Sequence, residues 1–187
     1  TMRAVSKRVP RWQRYQKDSY AGIPNNPVTL LRHLNDQALL PCIYFVFSRR
    51  RTEELARDLQ DFNFLNSEES KNIKNTFSRL VDKYDIAHES STYDIRPLIE
   101  KGIAYHHAGM LPTLKEVVEQ LFTTKLIKVI FTTETFALGI NMPARTVVFD
   151  DLRKIYADSF HSLKTRDFFQ MAGRAGRRGI DDKGFVF

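Results

Sequence analysis

The sequence predicts an α/β domain, a parallel β-sheet with helices on both faces. Three observations predict it. Short apolar runs of strand-forming residues alternate with stretches that repeat at helical spacing, the pattern of βα units. The clearest run, Cys42-Ile43-Tyr44-Phe45-Val46-Phe47, is continuously apolar, as suits a strand covered on both faces. Polar clusters at Ser48, His107 and Thr133 each follow such a run directly, which puts them on one edge of the sheet. In parallel sheets ligands gather beyond the carboxyl ends of the strands. This edge is basic and rich in hydroxyls and glycine, the composition of a phosphate-lined surface.

The elements follow in order. Residues 1–25 are basic and aromatic, with Arg3, Lys7, Arg8, Arg11, Arg14 and Lys17 ahead of the first acid, Asp18. Pro10, Pro24 and the absence of periodicity make them a linker or arm, with Trp12, Tyr15 and Tyr20 interleaved among the charges as in single-strand binders. Residues 26–187 form the domain. Asn26 is placed to cap a helix opening at Pro27, with Leu30, Leu31, Leu34 and Ala38 on one face and Pro41 ending it. After the strand at 42–47, Leu55, Ala56 and Leu59 mark a core-facing helix from Thr52. Between Phe62 and Ser91, Ile73, Phe77, Leu80 and Tyr84 recur at three- and four-residue intervals and predict one long helix. The span of about 62–94 reads as a helical insertion in the sheet domain. A short helix at Ile95–Lys101 leads to a strand at Gly102–Tyr105.

Thr113 with Glu116 makes a capping-box pattern opening a helix through Val117, Val118, Leu121 and Phe122. Leu126–Phe131 is the next strand, followed by a turn and a short helix at Phe136–Leu138 that Gly139-Ile140-Asn141-Met142-Pro143 breaks. Thr146–Phe149 is the fourth strand. The polar stretch from Asp150 to Lys164 crosses to a helix beginning near Thr165, and Gly184–Phe187 opens a last strand.

The totals bound the partners. The chain has 187 residues, 42% of them hydrophobic and 27% charged, ordinary for a soluble globular domain. A net charge of +7 favours a polyanionic partner. One cysteine, Cys42, leaves no internal disulfide and suits a reducing compartment. No apolar run approaches membrane-spanning length and no signal-peptide core opens the chain, so a soluble intracellular protein with no membrane partner is expected, cytoplasmic or, in a eukaryote, nuclear. Thr1 in place of an initiator methionine reads as the start of an excised fragment.

Chemistry concentrates at Gln170-Met171-Ala172-Gly173-Arg174-Ala175-Gly176-Arg177-Arg178-Gly179. Three arginines and three glycines fall in ten residues after Phe168-Phe169. Arginine presents a planar, permanently charged fork to phosphate, and glycine admits a close ligand. On a helix, Arg174 and Arg177 would share a face and converge on one anion. A disordered arginine-glycine tail is the plain alternative, but such tails repeat and this run occurs once. Ser48 and Arg49 can hold a phosphate at a helix N-terminus, and Ser48 can equally cap that helix. Thr132 and Thr133 are either donors to a phosphate or residues satisfying their own backbone. His106 and His107 point apart on a strand with no further ligand at metal spacing, so no metal site is expected. Cys42 reads as core. No GxxxxGKS/T loop and no Asp-Glu pair after a strand occur, so a nucleoside triphosphate site would be only half contained in this chain.

Taken together, Ile43 to Arg51, Tyr105 to Pro112, Phe131 to Ala144 and Gln170 to Asp182 resemble motifs IV, IVa, V and VI of superfamily-two helicases, which lie in the second RecA-like domain. The forms Thr133-Glu134-Thr135-Phe136-Ala137-Leu138-Gly139-Ile140-Asn141-Met142-Pro143-Ala144 and Gln170 to Asp181 resemble the superkiller-like DExH group, which feeds RNA to exosome-type degradation. Asn141 and Gln170 stand where DEAD-box relatives carry Asp and His. The resemblance implies a RecA-like, P-loop NTPase-type sheet and an ATP-dependent RNA helicase. It implies ATP and Mg2+ held mainly by a first RecA-like domain of the same protein, to which residues 1–25 would lead. Arg174 and Arg177 would be arginine fingers, with Gln170, Gly139, Asn141 and Gly173 near ATP. Ser48, Arg49, His107, Gly109, Thr132 and Thr133 would line a track for single-stranded RNA, with DNA the alternative substrate. An RNA-degrading complex is the implied partner. The fragment alone should be inactive. A DNA-repair translocase of related build and a catalytically dead nucleic-acid-binding module are the rival expectations.

Overall fold

The structure is a computed structural model that describes residues 26–134, 136, 142–156 and 159–187. The expected N-terminal arm, the expected turn of helix at 137–138 and the candidate site residues Gly139 and Asn141 lie outside the described residues. Along the chain come α1 (Pro27–Asp36), β1 (Cys42–Phe45), α2 (Arg49–Asp58), α3 (Ser67–Lys83), α4 (Ser90–Ile99), β2 (Ile103–His106) and α5 (Pro112–Thr123). They are followed by β3 (Val129–Thr132), β4 (Thr146–Phe149), β5 (Arg153–Tyr156), β6 (Ser159–Ser162), α6 (Thr165–Ala172) and β7 (Phe185–Val186).

Five strands form one parallel sheet in the order β2-β3-β1-β4-β7. The α/β fold class expected from the alternating runs is the one observed. Every residue of β1, β2, β3 and β4 is buried, which is why these segments read as unbroken apolar runs. Tyr44 stands in register with Phe131, their ring centroids 5.1 Å apart, so the centre of the sheet is aromatic. His106 is bound by Glu119 of α5 and the next residue, His107, by Glu53 of α2. Adjacent residues of a strand point to opposite faces, so these two helices cover opposite sides of the sheet.

Local chemistry sets the helix ends. Asn26 caps α1 as expected, accepting from the Val28 and Thr29 amides at 3.0 and 3.4 Å. The helix expected through Ala38 stops at Asp36, and Ala38 takes φ 54°. Asn66 and Glu69 form a reciprocal capping box at the start of α3. The single long helix expected over 62–91 is instead two. Asp85 adopts φ 52°, and its amide and that of Ile86 return to the carbonyls of Asp82 and Val81 at 3.2 and 3.1 Å. That left-handed cap ends α3 at Lys83, and α4 begins at Ser90. The side chains of Ile73, Phe77, Leu80 and Val81 join the same apolar cluster as the strands.

Two further expectations are corrected. Leu111 precedes α5 without a side-chain cap, and Pro112 occupies its first turn. Thr113 therefore lies one position inside the helix, and Glu116 instead accepts from the Tyr84 hydroxyl and from Gln120 Nε2. The expected crossing at 150–164 contains an antiparallel hairpin, β5 with β6, pairing Arg153 with Ser162 and Tyr156 with Ser159.

Candidate functional site

The parallel register places the candidate residues on two opposite edges. His106, Thr132, Phe45 and Phe149 stand level across β2, β3, β1 and β4. Beyond this row the hydrogen bonding continues for one residue: Thr133 donates to the His106 carbonyl, Val46 to Thr132 and Asp150 to Phe45. Ser48, His107, Gly109 and Thr133 therefore gather at the carboxyl edge, where the sequence expects them.

Each side chain there is placed by a specific contact. Ser48 is the N-cap of α2, its hydroxyl accepting from the Arg51 amide at 3.4 Å, and it remains exposed. Of the three arginines that follow, Arg50 pairs with Glu54 at 2.6 Å, and Arg51 reaches Asp150 with Nε at 2.7 Å and Nη2 at 3.4 Å. Arg49 is exposed and makes no ion pair among the described residues. Its Cδ is 3.6 Å from where a Cβ on Gly109 would stand, so the two candidates adjoin. His107 is buried with both ring nitrogens engaged, one with Glu53 at 3.0 Å and Nδ1 accepting from the Gly109 amide at 3.1 Å. Thr132 is fully buried, and its hydroxyl donates toward the His106 and Thr133 carbonyls at 2.9 and 3.1 Å. Burial holds the His106 imidazole below its usual range, against the opposing pull of Glu119.

The arginine-glycine stretch lies at the other edge. Helix α6 ends at Ala172 with Gly173 as its C-cap, so the helical face expected to carry Arg174 and Arg177 is corrected to a pair of turns. Arg174 and Ala175 donate back to Met171 and Ala172, and Gly176 takes φ 89°, which a side chain would resist. The turns then dock on the entrance to β4. Ala144 donates to the Arg174 carbonyl at 2.9 Å and accepts from the Gly176 amide at 2.7 Å. Gly184 lies against Ala175 and Gly176 so closely that no Cβ fits. Two backbone segments thus clamp the arginine loop where β4 and β7 begin.

A cleft of about 490 Å³ opens there, lined by Pro41, Lys125, Met142, Gly173, Arg177 and Arg178 among others. Its charged lining is cationic. Arg177 is mostly covered and held by Asp181, whose carboxyl sits below the usual carboxylate range chiefly because Arg177 donates to it. Gln170 is exposed on α6 beside Phe169, which is 67% exposed.

Several residues of the site had no individual signal in the sequence. Glu53 and Asp181 fix the candidates His107 and Arg177, Asp150 fixes Arg51 beside the candidate Arg49, and Glu134 pairs with Lys154 of the hairpin. Only Asp181 had a local cue, standing four residues after Arg177. The others are partners across the fold. Among the described residues no group of three or more His, Cys, Asp or Glu is arranged to hold a metal ion. Among the same residues no helix is long and apolar enough to cross a membrane.

The helicase conserved C-terminal domain model matches residues 29–179. Exosome RNA helicase MTR4 of Homo sapiens is 40% identical over 165 residues, 87% of this chain and 16% of the relative. Antiviral helicase SKI2 of Saccharomyces cerevisiae is 44% identical over 159 residues, 84% of this chain and 12% of the relative. DExH-box ATP-dependent RNA helicase DExH11 of Arabidopsis thaliana is 43% identical over 166 residues, 87% of this chain and 12% of the relative. The chain thus spans only 12% to 16% of the length of these relatives. With a parallel sheet, a clamped arginine loop at one edge and a family model matching most of its length, the chain belongs to the helicase conserved C-terminal domain family.

Proposed function

We propose that this chain is the second RecA-like domain of an ATP-dependent RNA helicase of the MTR4 and SKI2 type, supplying half of an ATP site and part of a strand track. The observation that carries the proposal is the clamped loop of Arg174 and Arg177 at the opposite edge from Ser48, Arg49 and Gly109. Two polyanions can then be held at once, one at each edge. Arg174 and Arg177 act as arginine fingers toward the transferring phosphoryl group of ATP bound on a first RecA-like domain. Such fingers are worth roughly 10³–10⁵ in rate in other nucleotide hydrolases. Gln170 and Gly173 belong to the same side, and Gly139 and Asn141 are assigned to ATP by the likeness of their motif alone.

The cationic lining of the cleft, from Lys125, Arg177 and Arg178 among the described residues, fits phosphate, and in this reading the ligands of Mg2+ belong to the first domain. At the carboxyl edge, Ser48, Arg49 and Thr133 hold the phosphates of a single strand, while Gly109, its amide spent on His107, leaves room for the strand beside Arg49. His107 and Thr132, with their polar atoms turned inward, shape this edge and do not reach the strand themselves. RNA as the strand and an RNA-degrading complex as partner are supported by relatives named as an exosome RNA helicase and an ATP-dependent RNA helicase, and an intracellular setting belongs to the same reading. Residues 1–25 serve as the arm from the first domain, and 62–94 as an insertion that packs into the core.

The test is ATP hydrolysis by the full-length protein with single-stranded RNA or DNA. Stimulation by RNA, lost on Arg174→Ala or Arg177→Ala, supports the proposal. Stimulation by DNA alone points to a translocase on DNA, and no hydrolysis at all to a binding module.

A further inference from the structure

Arg177 does not line the cleft as a free cation. Its Nε donates to Asp181 Oδ2 and its Nη2 to Oδ1, both at 2.7 Å, so one whole edge of the guanidinium is spent on one carboxylate. The Arg177 amide donates to the same Oδ2 at 3.0 Å. The Ile180 and Asp181 amides return to the Arg177 carbonyl at 3.0 and 2.9 Å. Backbone and side chain therefore close one ring over residues 177–181. Gly179 turns this ring at φ 75°, with nothing near its missing Cβ, so conformation alone sets the need for glycine there.

Burial makes the ring one-sided. The Asp181 side chain is 3% exposed and the Arg177 side chain 16%. Arg177 Nη1 has no hydrogen-bond partner among the described residues, and it is not among the sealed, unsatisfied atoms. It is the donor edge left for a ligand. An unpinned arginine would sample many rotamers and lose that freedom on meeting a phosphate. A carboxylate on the Nε–Nη2 edge removes the search beforehand, as an outer-shell partner orients a reacting group.

We propose that Asp181 is the positioning residue of Arg177, locking one edge of its guanidinium so that the Nη1 edge is presented to phosphate in the cleft. This rests on the reading of Arg177 as a group that faces ATP. Asp181 touches no substrate and acts only through Arg177. A misplacement of about 1 Å in a reacting group can cost on the order of 10² in rate, which sets the expected scale.

The test uses RNA-stimulated ATP hydrolysis by the full-length helicase, comparing Asp181→Asn, Arg177→Ala and the double variant. Asp181→Asn keeps the shape and removes one charged acceptor. It should lower kcat by about 10- to 100-fold while KM for ATP stays within about threefold. The double variant should be no slower than Arg177→Ala, because the two residues act as one unit. If Arg177→Ala is slow and Asp181→Asn is not, the inference fails and the reading of Arg177 stands. If Arg177→Ala is as fast as the parent, the reading itself fails. Should Asp181→Asn also melt early, the double variant decides. A loss beyond that of Arg177→Ala makes Asp181 a structural residue only and overturns the inference.

Discussion

Alanine at Gly184 should disable the arginine loop without touching an arginine. Its Cβ would stand 2.4 Å from the Ala175 carbonyl carbon and 2.5 Å from both the Ala175 oxygen and the Gly176 nitrogen. Ordinary contact begins near 3.4 Å, so one side must yield by about 1 Å. Both sides are backbone and neither can rotate away. The Gly184 side is fixed by entry into β7, where Phe185 donates to the Arg145 carbonyl at 3.1 Å. The loop side is fixed by the two bonds to Ala144. Overpacking of this kind costs about 1–3 kcal/mol, which in a chain of this size lowers the melting temperature by roughly 2–12 °C. Displacing Arg174 and Arg177 by the same distance should lower RNA-stimulated kcat on the order of 10²-fold in the full-length protein. Thermal melting and steady-state hydrolysis check the two parts. A Gly184→Ala protein with the parent's melting temperature and kcat would refute the clamp.

Other perturbations separate the remaining parts of the molecule. Arg49→Gln should weaken RNA binding and reduce the slope of log affinity against log salt by about one charge, measured by titration at several salt concentrations. An unchanged slope would remove Arg49 from the track. Phe77→Ala, fully buried on α3, should cost about 3–5 kcal/mol in chemical denaturation, because α3 shares the core of the sheet. A loss below about 1 kcal/mol would make α3 a detachable appendage. Burial depresses the pKa of His106, so the folded state binds fewer protons than the unfolded chain once the pH falls below about 6.5. Stability should therefore decline as the pH falls through about 6.5 and on toward the lowered folded-state pKa, and His106→Gln should flatten that slope in thermal melts. A melting temperature that rises toward acid would contradict the assignment.

The sheet was legible because burial on both faces forces unbroken apolar runs. Thr146–Phe149 matches its strand residue for residue, and Cys42–Phe45 and Val129–Thr132 fall within one to three positions of the expected limits. Helix ends were less legible, since they turn on single hydrogen bonds. The Thr113 and Glu116 spacing was right for a capping box, but Pro112 already opened the helix and Tyr84 drew Glu116 away. Asp85 ended α3 through a left-handed turn that a non-glycine residue does not announce. Arg174 and Arg177 looked helical because their spacing suits a helix, whereas the left-handed Gly176 lets the chain fold back on Ala144. The β5–β6 hairpin went unread because its strands are rich in polar side chains and carry no unbroken apolar run. The candidate arginines were visible as chemistry. The anchoring role of Asp181 toward Arg177, and of Asp150 toward the neighbouring Arg51, was not, because an acid gains that role only when the fold or a local turn brings it to its arginine.

The central claim is that the two edges of the sheet serve two polyanions, ATP at the arginine loop and a single strand at the Ser48 edge. The most direct test is kcat for ATP hydrolysis by the full-length protein at saturating RNA, for Arg177→Ala and Arg49→Ala side by side. Arg49→Ala should recover the parent's kcat once RNA saturates, while Arg177→Ala should remain on the order of 10³-fold slower at any RNA concentration. Recovery of Arg177→Ala at high RNA would contradict the account.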